Sequence, residues 1–546
     1  MTEQPPITYE LSTPPAEPST GGRNIKRLVI GGIAAVVVLA LAGGAFAVVK
    51  KLDGGGAQPH DVLPASVIAY ARVDVDPSAS QKIALFKLIR KFPEAADEIG
   101  IKSVDQDVRK LLVDEALKEG DCDLTYDKDV KPWLGHRIGV ALDTEQTPLV
   151  AIQVTDEKKA EAGIKDLFDC DDEKAAVAFL DGYAIVAETQ KQADAAVKAA
   201  EKKPLAEKTA FAADFEDLGE QGVASAWADT KKVIDSFPEF KDLMATAGGA
   251  NLKELEQAGT LAVTVRTDGS TLELAGLAGV TDSVDKMTPV SMDKLPSDTV
   301  AALSFGGGIG DQIAEQYDAF LEQFTEGFES SFDDPSITEG MTPEEKAAFE
   351  AYLENNPIES PDPEDFIAGF EEETGLNVPE DLETLFGDGL TLAIGSKNLE
   401  KLPTFSGPAD VATLDVALKM TTDPDKALDL AKRLATLATQ VGLDLSTAQT
   451  DDGAVIATNQ DAADGLDGSG KLGSDATFQS VMPYGDQTLY GMFVDVGTIL
   501  DKVSEADPPA DVAKDIDQAK AVKAVGISYG KQDEHTVFSV RVAFAK

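Results

Sequence analysis

The chain has 546 residues, of which 43% are hydrophobic, and a formal net charge of −49. It is too long for one ordinary domain and apolar enough to bury sizeable cores. Such an excess of carboxylates repels phosphate backbones and anionic surfaces, which excludes a nucleic-acid-binding face.

Residues 1–27 begin with "MTEQPPITYELSTPPAEPSTGG", which has no buryable pattern and reads as a disordered cytoplasmic tail. Leu28 to Val49, "LVIGGIAAVVVLALAGGAFAVV", is a run of 22 residues without a charge. At about 1.5 Å per residue it spans a bilayer core, and the sequence predicts a transmembrane helix over 28–49. Arg23, Lys26 and Arg27 precede it and Lys50 and Lys51 follow, a slight bias that places the N-terminus inside. Ala45-Phe46-Ala47 fits a signal-peptide cleavage pattern, but the apolar run is too long and the preceding tail too large for that reading. Residues 50–61, containing "DGGGAQPHD", read as a linker to the outer domain.

From residue 62 onward the pattern occurs twice, predicting an α+β fold of two tandem copies, each a mainly antiparallel sheet packed with helices. Copy 1 covers 62–282, a junction 283–294, and copy 2 295–546. "LPASVIAYARVDV" (63–75) answers to "LPSDTVAALSFGG" (295–307), and "PWLGHRIGVAL" (132–142) to "TLFGDGLTLAI" (384–394). "AWADTKKVID" (226–235) answers to "MFVDVGTILD" (492–501), setting Asp229 on Asp495. These two aspartates follow strand-like runs, where a carboxylate caps the next helix. "DEKKAEAGIKDLF", "KQADAAVKAAEKK" and "DPDKALDLAKRLATLATQ" read as amphipathic helices, as does "SQKIALFKLIRKF" (80–92). "RTDGST" carries a hairpin signal. Copy 2 holds extra residues, and the Pro-rich, acidic stretch at about 329–366 reads as an exposed insertion.

Cys122 and Cys170 are the only cysteines. Outside the cytosol an isolated pair forms a disulfide, which is the expectation here; a metal site needs two further ligands, and no histidine neighbours either cysteine. The glycine run of "LSFGGGIGDQ" (303–312) suggests a phosphate cradle at a helix N-terminus. Its spacing is not that of a dinucleotide fingerprint, and no Lys-Ser or Lys-Thr follows. Copy 1 places "ARVDVDPSASQ" at the same point, so the glycines read as a strand-to-helix turn. The three histidines, His60, His136 and His535, lie in the linker, at a strand edge and in a hairpin turn. No nucleophile elbow, EF-hand or paired-carboxylate signature stands out, and Trp133 reads as a core residue. No catalytic, metal or cofactor residue is assigned.

At "LPASVIAYARVDVDPSASQKIALFKLIRKFP" and "VKPWLGHRIGVAL" the chain resembles the domain of unknown function 3352 family. Members in high-GC Gram-positive bacteria pair a short tail and one span with a large outer domain. The resemblance implies an envelope protein and supplies no catalytic residues. The expected function is a membrane-anchored extracytoplasmic binding or scaffold protein of the cell envelope. Its partners would be the bilayer, through 28–49, and an envelope protein or lipid ligand. The alternatives are a lipid or small-ligand carrier with an apolar cavity and, less well supported, a hydrolase with dispersed carboxylates.

Overall fold

A computed structural model describes residues 56–75, 123–169, 175–219, 221–237, 252–310, 363–405 and 407–545 apart from isolated positions, with Lys346 and a few residues between 107 and 117. The predicted span 28–49, the helix expected at 80–92, both cysteines and nearly all of the acidic insertion lie outside the described residues. Among the described residues no helix is long and apolar enough to cross a membrane.

Among the described residues sixteen strands form one sheet. Those of the first half are β1 (Val67–Asp74), β2 (Leu134–Asp143), β3 (Pro148–Val154), β4 (Ala176–Leu180), β5 (Tyr183–Ala187), β6 (Ala224–Asp229), β7 (Thr260–Asp268) and β8 (Thr271–Gly279). Those of the second are β9 (Thr299–Gly306), β10 (Gly389–Gly395), β11 (Val416–Thr421), β12 (Ser446–Thr450), β13 (Gly453–Ala457), β14 (Thr488–Val494), β15 (Val522–Gln532) and β16 (His535–Phe544). The spatial order is β12-β13-β11-β10-β9-β14-β15-β16-β8-β7-β6-β1-β2-β3-β5-β4. Read inward from either edge, the two halves have the same order. The pairings are antiparallel.

Two sheets were expected; there is one, because β8 pairs with β16. The register sets Thr271 opposite Ala543 and Gly279 opposite His535, and Ala275 opposite Ser539 at the centre. Thr271 and His535 each open the return strand of a hairpin, and Ala275 and Ser539 stand four residues further along. The pairing therefore maps onto itself when the halves are exchanged, with a local two-fold axis at Ala275 and Ser539. The register recurs in the neighbouring strands: Ala71 opposes Ala226 in β1–β6, and Leu303 opposes Met492 in β9–β14.

Both faces of the sheet are covered, which explains why β5 (YAIVA) and β13 (GAVIA) are apolar and buried throughout. One face packs Tyr70, Trp227 and Leu277 beneath the helices Gln190–Ala200 and Thr209–Leu218. In the second half it packs Ala302, Phe493 and Ala524 with Phe478 and Met292. The opposite face sets Val150, Val154 and Val186 against Ile164 of the helix Glu157–Asp169 and against Trp133. In the second half, Leu390, Met420 and Ile456 meet Leu430 of the helix Pro424–Gln440.

Helix starts match as well. Asp229 accepts from the Lys232 amide at 3.1 Å and Asp495 from the Thr498 amide at 2.9 Å, each capping a helix as expected. Thr189 and Asn459 cap the helices that follow β5 and β13. The helix Pro363–Thr374 begins inside the stretch read as an exposed insertion. The junction is not a free connector: Val290 exchanges backbone bonds with Thr488, and Met292 is fully buried.

The central pairing carries a buried charge cluster that has no counterpart across the axis. Glu273 of β8 is 4% exposed. It accepts from Arg266 Nε at 2.7 Å, Arg541 Nε at 2.9 Å and Ser539 Oγ at 2.8 Å. Burial by itself raises the Glu273 carboxyl, but Arg541 and Arg266 outweigh it and hold the group below the ordinary range. Glu273→Gln leaves two guanidiniums around a neutral partner, so it should lower stability by roughly 3 kcal/mol. Urea denaturation of the variant checks this; a loss near zero would show that the cluster contributes no net stability.

Candidate functional site

Two polar arrangements stand out, one in each half, both built on the ends of the strands that open the halves. In the second half the glycine run closes β9. Gly307 N donates to Thr288 O at 2.9 Å and Gly308 N to Gly387 O at 3.4 Å. These amides are thus engaged by protein carbonyls rather than turned outward to cradle a phosphate. Gly307 is needed for close approach, since a Cβ there would sit 2.3 Å from Thr288 Oγ1 and 2.8 Å from Asp388 Cα. Gly308 has φ +89°, a left-handed conformation, and residues 309–310 are helical. The run is a strand-to-helix turn, as read.

Beside this turn lies a polar cavity of about 850 Å³. Its lining includes Gly308, Asp388, the helix cap Asp423, and Asp425 and Lys426 of the helix Pro424–Gln440. Arg433, also at the wall, donates from Nη2 to Asp381 Oδ1 at 2.6 Å and from Nε to Asp429 Oδ2 at 3.1 Å. Burial raises the Asp381 carboxyl, but the hydrogen bond from Arg433 outweighs it and holds the group below its usual range. Asp423 Oδ1 accepts from the Asp425 and Lys426 amides at 3.1 Å, so that carboxylate is a helix cap. A lining richer in carboxylates than in ammonium and guanidinium groups suits a polar or cationic occupant. Arg433 ties Asp381 and Asp429 together in ion pairs, and Asp423 serves as a cap.

In the first half the corresponding strand end holds Arg72, Asp74 and Arg137, where the second half has Ser304, Gly306 and a glycine-flanked strand start. Arg72 is 6% and Arg137 7% exposed. Arg72 Nη1 lies 3.0 Å and Arg137 Nε 3.4 Å from Asp74 Oδ1. Arg72 also donates to Ser225 Oγ at 3.2 Å and Gly222 O at 2.6 Å. The remaining donors reach residues 57–58. Arg137 Nη1 meets Ala57 O at 3.4 Å, Tyr183 Oη donates to the same carbonyl at 2.8 Å, and Arg72 Nη1 meets Gln58 Oε1 at 3.4 Å. Residues read as linker are therefore part of the fold: Pro59–Val62 form a helical turn, and Val62 and Leu63 are fully buried. Glycine richness at 54–56 signalled a connector, and nothing in the sequence marked where it ends.

His60 lies within this cluster, with Nδ1 3.4 Å from Tyr70 Oη and its ring 5.3 Å from that of Phe211. Burial pushes its imidazole down to about 4; Asp61 opposes this, while the Arg72 and Arg137 charges add to it. The other two histidines stand apart. His136 sits near the start of β2. His535 opens β16, with Nδ1 3.6 Å from Asp217. Trp133 is a core residue, 2% exposed, with Nε1 donating to Asp129 O at 2.7 Å. Among the described residues no three His, Cys, Asp or Glu side chains stand together as metal ligands. The expected Cys122–Cys170 disulfide lies outside the described residues.

These features define an antiparallel α+β protein with a polar cavity at one strand end and a buried arginine cluster at the matching end of the other half. The family model described as protein of unknown function (DUF3352) matches residues 30–525, and the chain belongs to that family. No curated protein and no solved structure matches it.

Two outcomes follow. Gly308→Ala should cost about 1–2 kcal/mol through the left-handed backbone angle and leave the chain without nucleotide affinity, as before. Chemical denaturation and nucleotide titration check this; nucleotide binding by the parent chain that the variant loses would restore the phosphate-cradle reading. His60 titrates near 6.5 in the unfolded chain and about 4 in the fold. The unfolded state therefore takes up the proton first. This contribution to stability is complete above pH 6.5 and falls by roughly 3 kcal/mol as pH drops toward 4. Denaturation midpoints of His60→Asn should show a shallower acid slope than wild type between pH 7 and 4.5; identical slopes refute the assignment.

Proposed function

We propose that the chain is a single-pass envelope protein with a cytoplasmic N-terminus, whose outer, acidic, duplicated fold binds or scaffolds a partner. The observation that carries this reading is the run Leu28 to Val49, 22 residues without a charge, set just ahead of a large folded body. The family match begins at residue 30, inside that run, so the apolar segment belongs to what the family shares. The repeated strand order and helix caps support tandem duplication as the origin of the two halves. The polar cavity favours a polar or cationic occupant over an acyl chain, which weighs against the lipid-carrier alternative. Three of its carboxylates, Asp381, Asp423 and Asp429, serve as a cap or as partners of Arg433, which weighs against a hydrolase built on them.

A reporter fused after Lys546 should be active only outside the cytoplasm, and the chain should stay in the membrane fraction through alkaline extraction. Deleting 28–49 should release it. A cytoplasmic reporter signal, or an alkali-soluble full chain, would overturn the topology. Native mass spectrometry of the protein taken from its membrane should show no stoichiometric lipid on the folded body; a lipid adduct would favour the carrier.

A further inference from the structure

The residues between the apolar run and the sheet would ordinarily be a leash, leaving the outer body free to move over the membrane. The contacts of residues 57–62 describe something stiffer. Ala57 O receives two donors, Tyr183 Oη at 2.8 Å and Arg137 Nη1 at 3.4 Å. Gln58 N donates to Asp61 Oδ2 at 2.7 Å, which closes the turn on itself. Pro59 lies so close on β2 that a Cβ at Gly139 would sit 2.4 Å from Pro59 Cβ. Leu63 O accepts from the Leu205 amide at 2.7 Å, and the Ala65 amide donates to Lys203 O at 3.0 Å. The segment is thus gripped from β2, from β5 and from the connection that follows the helix Gln190–Ala200. Only residues 50–56 separate Val49 from the first gripped residue. Fully extended, seven residues reach at most about 25 Å.

We propose that residues 57–62 are a rigid strap, clamped by Arg137, Tyr183 and the bare surface of Gly139, that holds the first half of the sheet at the lipid surface. The inference rests on the reading of 28–49 as a membrane span. It makes the lipid surface a fixed neighbour of the β2 and β5 ends of the first half, with the partner-binding surfaces left to the rest of the body. It also gives the buried Arg72–Asp74–Arg137 cluster a purpose that the second half, whose opening segment is an internal junction, does not share.

Two variants release the strap in different ways. Tyr183→Phe removes one grip on Ala57, and Gly139→Ala pushes Pro59 off the sheet. The full chain is placed in nanodiscs containing dansyl-headgroup lipid. Hydrogen exchange reads the amides of residues 60–62, with β7 and β8 as the internal control for folding. Trp133 and Trp227, the only tryptophans, both lie in the first half and serve as energy-transfer donors to the dansyl groups. In wild type the strap amides should be protected and transfer measurable. In Gly139→Ala, exchange at 60–62 should rise at least tenfold with β7 and β8 unchanged, and in Tyr183→Phe severalfold. Inserting twenty Gly-Ser residues after Gly55 should cut transfer by at least half while leaving 60–62 protected. A chain retained in the disc with fast wild-type exchange at 60–62, or with transfer insensitive to the insertion, overturns the strap and leaves the anchor intact. A chain that leaves the disc overturns the anchor, and the strap's role at the membrane with it.

Discussion

The pairing of β8 with β16 is the constraint on which the fold depends. Each half alone would end in an open edge at its last hairpin, with unpaired backbone groups and apolar side chains on both sides. Joining those edges consumes both. Because Ala275 meets Ser539 at a self-matching register, the joint needs no special geometry; it is the contact two equal edges make in an isologous pair. Small residues occupy this row: Ser225, Thr264, Ala275, Ser539 and Ser528 are all essentially unexposed. They let the covering elements from both halves approach the sheet over the joint.

Around that symmetric frame the polar groups are arranged asymmetrically. Glu273 gathers Arg266 and Arg541 on one side of the axis, where Val537 holds the matching position on the other. Arg72 and Arg137 share Asp74 in the first half, where the second half has small residues. In both clusters two guanidiniums share one carboxylate, and surplus donors reach the backbone carbonyls of Leu218, Gly222 and Ala57 as well as the Ser225 and Gln58 side chains. A buried guanidinium has five N–H groups to satisfy, so it fixes whichever chain segment supplies the oxygens. The first half uses this to hold its entry segment and the loop after the helix Thr209–Leu218. The second half has Ser304 and Gly389 where the first has Arg72 and Arg137, and leaves a polar cavity beside a glycine turn.

Much of the fold was legible in local patterns. Alternation in "RIGVAL" marked β2, Asp229 and Asp495 marked helix starts, and the paired segments gave matching strands in both halves. The glycine turn could be argued down from its spacing, and the structure supplies the reason: the Gly307 and Gly308 amides already have acceptors. Other features left no local trace. The cavity brings together residues from the turn after β9, from the turn before β10 and from a helix that starts more than a hundred positions after the first of these. "AQPHD" looks like the tail of a linker because its burial depends on Arg137 and Tyr183, which are distant in sequence.

The sequence by itself determined the strands and helix starts that recur in both halves, the repeated plan, the acidic character and the family, since propensity, periodicity and composition are read over short windows. Tertiary structure decided that the two halves share one sheet, that the presumed linker is gripped, and where the polar cavity lies. Each of these depends on pairing and satisfaction of groups distant in sequence: an edge must find an edge, and a buried guanidinium must find its acceptors.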